Sequence, residues 1–113
     1  MHHFYDRYRW AEDLFTHRDY RAAARVLEEL LAEAAERPAD VGHGLAEARL
    51  LLARAYYHSA QLRRTEDTVR ALLADDPTDA YASLLLARTL ERGSRHDEAR
   101  AAFRVAEALG APT

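Results

Sequence analysis

Leu50-Leu51-Leu52-Ala53-Arg54 returns, letter for letter, as Leu84-Leu85-Leu86-Ala87-Arg88, 34 positions further along the chain. The match does not stop at five residues. Ala46 and Ala80, Ala48 and Ala82, Arg70 and Arg104, and Ala74 and Ala108 are identical at the same interval. Tyr56 and Leu90, like Val69 and Phe103, keep apolar character. An interval of this length is the span of one helix pair, a unit that buries its apolar face against the next copy of itself.

Working outward, the whole chain reads as helix. Ala, Leu, Arg and Glu dominate it, all strong helix formers, and β-branched residues are scarce. Pro38, Gly42 and Gly44 frame one connection, Asp76-Pro77 a second, Gly93-Ser94 a third, and Gly110 to Pro112 the end. Shorter turns fall near Thr16 to Asp19 and Ser59 to Gln61. These breaks predict six helices, at about 3–16, 19–36, 44–58, 62–75, 78–91 and 95–109.

Inside each unit a small residue is flanked by large apolar ones at helical spacing. The second unit reads Leu52-Ala53-x-x-Tyr56, then Thr65-x-x-x-Val69, then Pro77. The third reads Leu86-Ala87-x-x-Leu90, then Ala99-x-x-x-Phe103, with Pro112 one place late. The first reads Trp10-Ala11-x-x-Leu14, followed by Tyr20, Ala23 and Leu27. The small residue lets two helices approach closely, and its neighbours fill the space beside it. The chain therefore resembles the tetratricopeptide repeat (TPR) family, in a small three-repeat form of bacterial type. The resemblance implies an all-α, right-handed solenoid of three helical hairpins, six antiparallel helices in a single domain over 1–113. Its units fall at about 4–37, 46–79 and 80–113.

Three departures accompany the resemblance. Trp10 to Leu52 is eight residues longer than the repeat, which places an insertion at about 37–44. Thr65 replaces the usual alanine, so its helix pair is expected to pack less closely. The sequence offers no clear capping helix after the sixth.

Composition narrows the function classes. With no cysteine, disulfides, zinc–thiolate sites and thiol nucleophiles are excluded. All sixteen basic residues are arginine, which excludes lysine Schiff-base chemistry and fits the codon bias of a GC-rich genome. The net charge of −3, with acids and bases interspersed, argues against nucleic acid as partner. No apolar run approaches the ~20 residues of a membrane span, and no secretory signal opens the chain, so a cytoplasmic protein without a membrane partner is expected. Glu28-Glu29 and Asp75-Asp76 read as solvated pairs with diverging carboxylates. His17, His43, His58 and His96 fall in different elements, with no i, i+4 partner. No enzyme, cofactor or metal is expected. One narrower reading concerns Met1-His2-His3, since a free amino terminus with histidine third can wrap Cu(II) or Ni(II); chance is the alternative.

In the family, the first helix of each pair lines a concave groove where peptides lie. Carried over unit by unit, the groove positions are Tyr5, Tyr8, Glu12 and Phe15; then Glu47, Leu50, Arg54, Tyr57 and His58; then Tyr81, Leu84, Arg88, Glu91 and Arg92. Five of the ten aromatic residues sit in this set, mixed with arginines, and these types are enriched in binding hot spots. Arg54 and Arg88 would project from equivalent places about 9–10 Å apart, fit to hold carboxylates of an acidic peptide. The alternative is that they pair with Glu12, Glu47 or Glu91. At the positions where chaperone-binding members carry lysine, asparagine and arginine for a terminal carboxylate, this chain has Tyr8, Glu12, Leu51, Tyr81 and Leu85.

The expected function is thus a protein-interaction module, a non-catalytic adaptor or scaffold with a protein or peptide in its groove. A second reading is self-assembly, including a homodimer, through the terminal helices. Its interface would be the small apolar stripe Ala101, Val105, Ala108 and Leu109, where a polar cap would otherwise lie.

Overall fold

The computed structural model describes residues 2–37 and 44–112, with side chains from Phe4 onward. The bulk of the expected insertion, Pro38 to His43, lies outside the described residues, as do Met1 and the side chains of His2 and His3. Six helices form, and no strand occurs among the described residues. They are α1 (His2–Thr16), α2 (Tyr20–Glu36), α3 (Gly44–His58), α4 (Leu62–Asp75), α5 (Ala80–Arg92) and α6 (His96–Ala108). The predicted boundaries hold to within two residues. The chain groups into two compact units, Met1–Ala60 and Gln61–Thr113.

In the first unit α2 is the central element, contacting both α1 and α3. Ala23, Leu27, Leu30 and Ala34 recur at i, i+4, i+7 and i+11, and all are buried on one stripe. Ala11 of α1 and Ala48 and Ala55 of α3 have no exposed surface, the small residues that permit close approach. Gly44 serves the same end at the start of α3, since a Cβ there would stand 2.6 Å from Cε1 of Phe4. Polar bonds brace the outside. Arg7 of α1 pairs with Glu29 and Glu33 of α2, and the buried Tyr56 hydroxyl donates to Glu28. Glu28 is therefore a half-buried bridge between helices, while the Glu29 side chain, 74 % exposed, stays solvated as expected.

In the second unit α5 is the central element, buried at eight of its thirteen positions. Thr65 of α4 is fully buried, and its hydroxyl donates to the Gln61 carbonyl at 3.0 Å. The back-bond satisfies the one polar atom that distinguishes it from alanine, so the substitution leaves no orphan hydroxyl in the core. Glu66, 9 % exposed, accepts from Arg95 at 2.6 Å and Arg70 at 2.9 Å, while Arg95 also holds Glu98 at 2.6 Å. The Arg95 hydrogen bond, more than any other cause, holds the Glu66 carboxyl below its ordinary 4.5, against the opposing effect of burial; Arg70 adds to the lowering. At the end of α6, Gly110 takes φ 91, and the Ala111 amide donates back to the Ala106 carbonyl at 2.9 Å. That turn brings Ala111 against Leu84 and Ala106.

Three helix-to-helix turns share one backbone form. Arg18, Ala60 and Ser94 have φ of 65°, 62° and 63°, left-handed in each case and none a glycine. At two of them a six-residue return bond closes the helix end: Asp19 N–H to Leu14 C=O at 2.8 Å, and Arg95 N–H to Leu90 C=O at 2.9 Å.

Candidate interaction surface

The first unit presents a mixed aromatic and charged face built from α1, the start of α2, and α3. On α1 the core takes Phe4 and Ala11, which leaves Tyr8, Glu12 and Phe15 on the flank toward α3. On α3 the core takes Ala48, Leu51, Leu52 and Ala55, so Glu47, Arg54 and His58 fall on a second stripe at i, i+7 and i+11. The two stripes meet. The Arg54 guanidinium carbon lies 4.7 Å from the centroid of the Phe15 ring. This cation–π contact contributes about 0.5–1 kcal/mol and fixes the direction of a long side chain. Arg54 forms no ion pair or hydrogen bond among the described residues, so the expected alternative of a carboxylate partner does not hold for it.

Four rings gather beside that arginine. His58 stacks on Tyr20 at 4.8 Å with planes 20° apart, and meets Phe15 edge-on at 5.5 Å. Phe15 and Tyr20 form a T-shaped pair at 5.0 Å, and Tyr57 abuts His58 at 5.7 Å. Further along the face, burial first and then Glu12 and Glu47 push the Tyr8 hydroxyl up from its usual range, with Arg54 opposing. Tyr8 thus remains a neutral phenol and hydrogen-bond donor. Acids surround its end of the face, and arginines the end near the α1–α2 turn. A pocket of about 350 Å³ opens at the arginine end, lined by Glu12, Phe15, Thr16, Arg18, Tyr20, Leu51 and Arg54.

Of the residues expected to form a binding face, the structure brings Tyr8, Glu12, Phe15, Glu47, Arg54, Tyr57 and His58 into this one neighbourhood. Tyr5 is 56 % exposed and touches Phe4 edge-on at 5.5 Å, while Leu50 is half-buried. In the second unit Tyr81, Arg88, Glu91 and Arg92 are exposed along α5. Leu84 is a correction. It is 3 % exposed and packs with Ala106, Ala111, Ala80 and Phe103, because the chain after Gly110 folds back over it. Trp10 is another, at 56 % exposed where its counterparts Leu52 and Leu86 are buried. Unlike them, it lies off the contacts that α1 makes with α2 and α3. The α6 stripe is exposed at Ala101, Val105 and Ala108, with Val105 at 50 %, and half-buried at Leu109.

Two members of the face escape a reading by helix position. Arg18 lies in a turn and Tyr20 opens α2, so neither belongs to the first-helix positions. The usable signal was the Arg18-Asp19-Tyr20 run, in which Asp19 caps α2 by accepting from the Ala22 amide. A cap there fixes the residues on either side of it. Among the described residues, no group of three or more His, Asp or Glu could hold a metal ion, and no helix is long and apolar enough to cross a membrane.

No curated protein and no solved structure gives a significant match to the chain. A protein-family model described as a tetratricopeptide repeat matches residues 14–88, from the end of α1 through most of α5. That span takes in both copies of the five-residue repeat, and the chain belongs to the tetratricopeptide repeat family.

Proposed function

We propose that this protein is a non-catalytic interaction module that docks a protein or peptide partner on the α1–α3 face of its first unit. Repeats of this family mediate protein–protein interaction. The observation that carries the reading is Arg54, a guanidinium held over Phe15 with no acid committed to it. Arginine and aromatic rings together bring contact area and polar reach, the combination that dominates interface energetics. The three-unit reading, at about 4–37, 46–79 and 80–113, draws support from the three turns of like backbone form.

The test is affinity capture of partners from the native cell, comparing the native chain with Arg54→Glu and Arg88→Glu, singly and together. Arg54→Glu abolishes capture while circular dichroism keeps its helical signal. Capture that survives the double change sinks the groove reading, and loss with Arg88→Glu alone moves the docking surface to the second unit.

A second reading, self-association, rests on Val105, half exposed beside the exposed Ala101 and Ala108 on α6. It predicts a homodimer that Val105→Arg converts to monomer by light scattering. A native chain that stays monomeric at high concentration removes it.

A further inference from the structure

The pocket at the arginine end has a composition that selects its occupant. Arg18 and Arg54 line it from two elements, a turn and a helix, and neither guanidinium makes an ion pair or hydrogen bond among the described residues. Glu12 is the one acid in the lining, so the pocket is locally basic within a chain whose net charge is −3. Its remaining walls are Phe15, Leu51, Thr16 and Tyr20. Elsewhere the arginines that brace the fold have carboxylates within reach: Arg7 takes Glu29 and Glu33, Arg70 and Arg95 take Glu66, and Arg100 takes Asp97.

Arg18 is also out of keeping with its backbone. The left-handed region costs a side-chain-bearing residue about 1 kcal/mol relative to glycine. The two turns of the same form carry Ala60 and Ser94, so the fold asks for no long side chain at this position. Nothing in the packing accounts for a guanidinium here.

We propose that the pocket receives an acidic side chain of the partner, an aspartate or glutamate followed by an apolar residue. The carboxylate lies between the Arg18 and Arg54 guanidiniums, and the apolar group rests on Phe15 and Leu51. Arginine suits this role because its planar fork meets both carboxylate oxygens and needs little ordering once held over a ring. Glu12 sets the geometry by exclusion, since an incoming carboxylate is repelled from its side of the pocket. This rests on the docking face proposed above and names the chemistry of its ligand.

The test is an NMR titration of the full-length chain, labelled to show arginine Nε–H signals, with short peptides that differ only at one central pair. The pairs are Glu-Leu, Asp-Leu, Gln-Leu and phosphoserine-Leu. The Glu-Leu and Asp-Leu peptides shift the Arg18 and Arg54 signals saturably, and Gln-Leu binds about tenfold more weakly, the value of a charge-assisted pair. Arg18→Ala, safe in a turn form that already accepts Ala60, lowers affinity by a similar factor. Arg54→Gln does the same. Glu12→Gln tightens binding about twofold, an effect a merely structural glutamate would not give.

Equal binding of Glu-Leu and Gln-Leu peptides overturns the assignment, as does an unchanged affinity in Arg18→Ala. So does a shift confined to Arg88 or Arg92, or one seen with phosphoserine alone. If both neutral and acidic peptides dock against Phe15 and Tyr20, the docking face stands and the carboxylate pocket falls. If no peptide shifts either arginine the pocket falls too, and the docking face is then judged by the capture experiment alone.

Discussion

The two copies of the five-residue repeat end in arginines with different surroundings. In the first, Arg54 rests on an aromatic ring and keeps its hydrogen-bonding groups free of other side chains. In the second unit, Arg95 and Arg70 are consumed by Glu66, and Arg88 stands exposed without a bond among the described residues. The leading apolar positions diverge as well, with Leu50 half-buried and Leu84 in the core. Only Leu51, Leu52 and Ala53 match their counterparts Leu85, Leu86 and Ala87 in burial. Repetition therefore records what the helix pair needs in order to pack. What an arginine at the end of the repeat does depends on its neighbours: for Arg54 that neighbour is Phe15, which lies outside the repeated letters.

The largest expected difference between the units concerns close approach. Gly44→Ala forces a Cβ against the Phe4 ring at 2.6 Å. We expect a loss of about 1–3 kcal/mol from overpacking, larger than the gain of about 1 kcal/mol in helix propensity. Urea denaturation measures it. Gly93→Ala, whose added Cβ would meet only ordinary contacts from 3.5 Å outward, is the control in the second unit and shows little change. Equal effects at the two glycines would remove the distinction.

Next is the ion-pair lock of the second unit. Because folding lowers the Glu66 pKa below 4.5, its contribution is fully present above that value. The contribution is lost as pH falls through the folded-state value. Glu66→Gln should lower the melting temperature near neutrality by a few degrees and flatten the acid side of the stability curve. Hydrogen exchange should locate the loss in α4 to α6. A mutant curve as steep in acid as the native one would show that other carboxylates govern it.

The smallest effect compares the turns themselves. Ser94→Gly and Arg18→Gly each relieve a left-handed residue and should stabilise by about 0.5–1 kcal/mol, less some unfolded-chain entropy. The comparison sharpens because only Arg18→Gly should weaken partner capture.

Most of the fold was legible in the sequence because its determinants are local: helix formers, capping residues, turn punctuation and a 34-residue period. The site was legible in part. Tyr8, Glu12, Phe15, Arg54, Tyr57 and His58 come from carrying the family's groove positions over to this chain, and the structure places them near one another. The same carry-over misplaces Leu84, because its burial depends on the chain returning past Gly110, a long-range event invisible to periodicity. Trp10 is misplaced as well, because aromatic size suggests burial while exposure is set by where a helix finds its contacts. Arg18 and Tyr20 escaped because helix-face arithmetic has no term for turns. The Glu66 lock joins α4 to α6 across a separation of 29 residues, and one acid among nineteen gives no sign of such a partner.

The shared turn form has a consequence for how such a protein can change. Arg18, Ala60 and Ser94 occupy one backbone conformation with a long cation, a methyl group and a hydroxyl. The scaffold is thus indifferent to the chemistry placed there, and a substitution at these positions leaves the helix contacts as they were. On the docking face proposed above, position 18 lines the pocket, and changing it there would shift ligand preference from acidic to neutral or basic at nearly constant stability. Recognition and folding can then vary independently along a single chain.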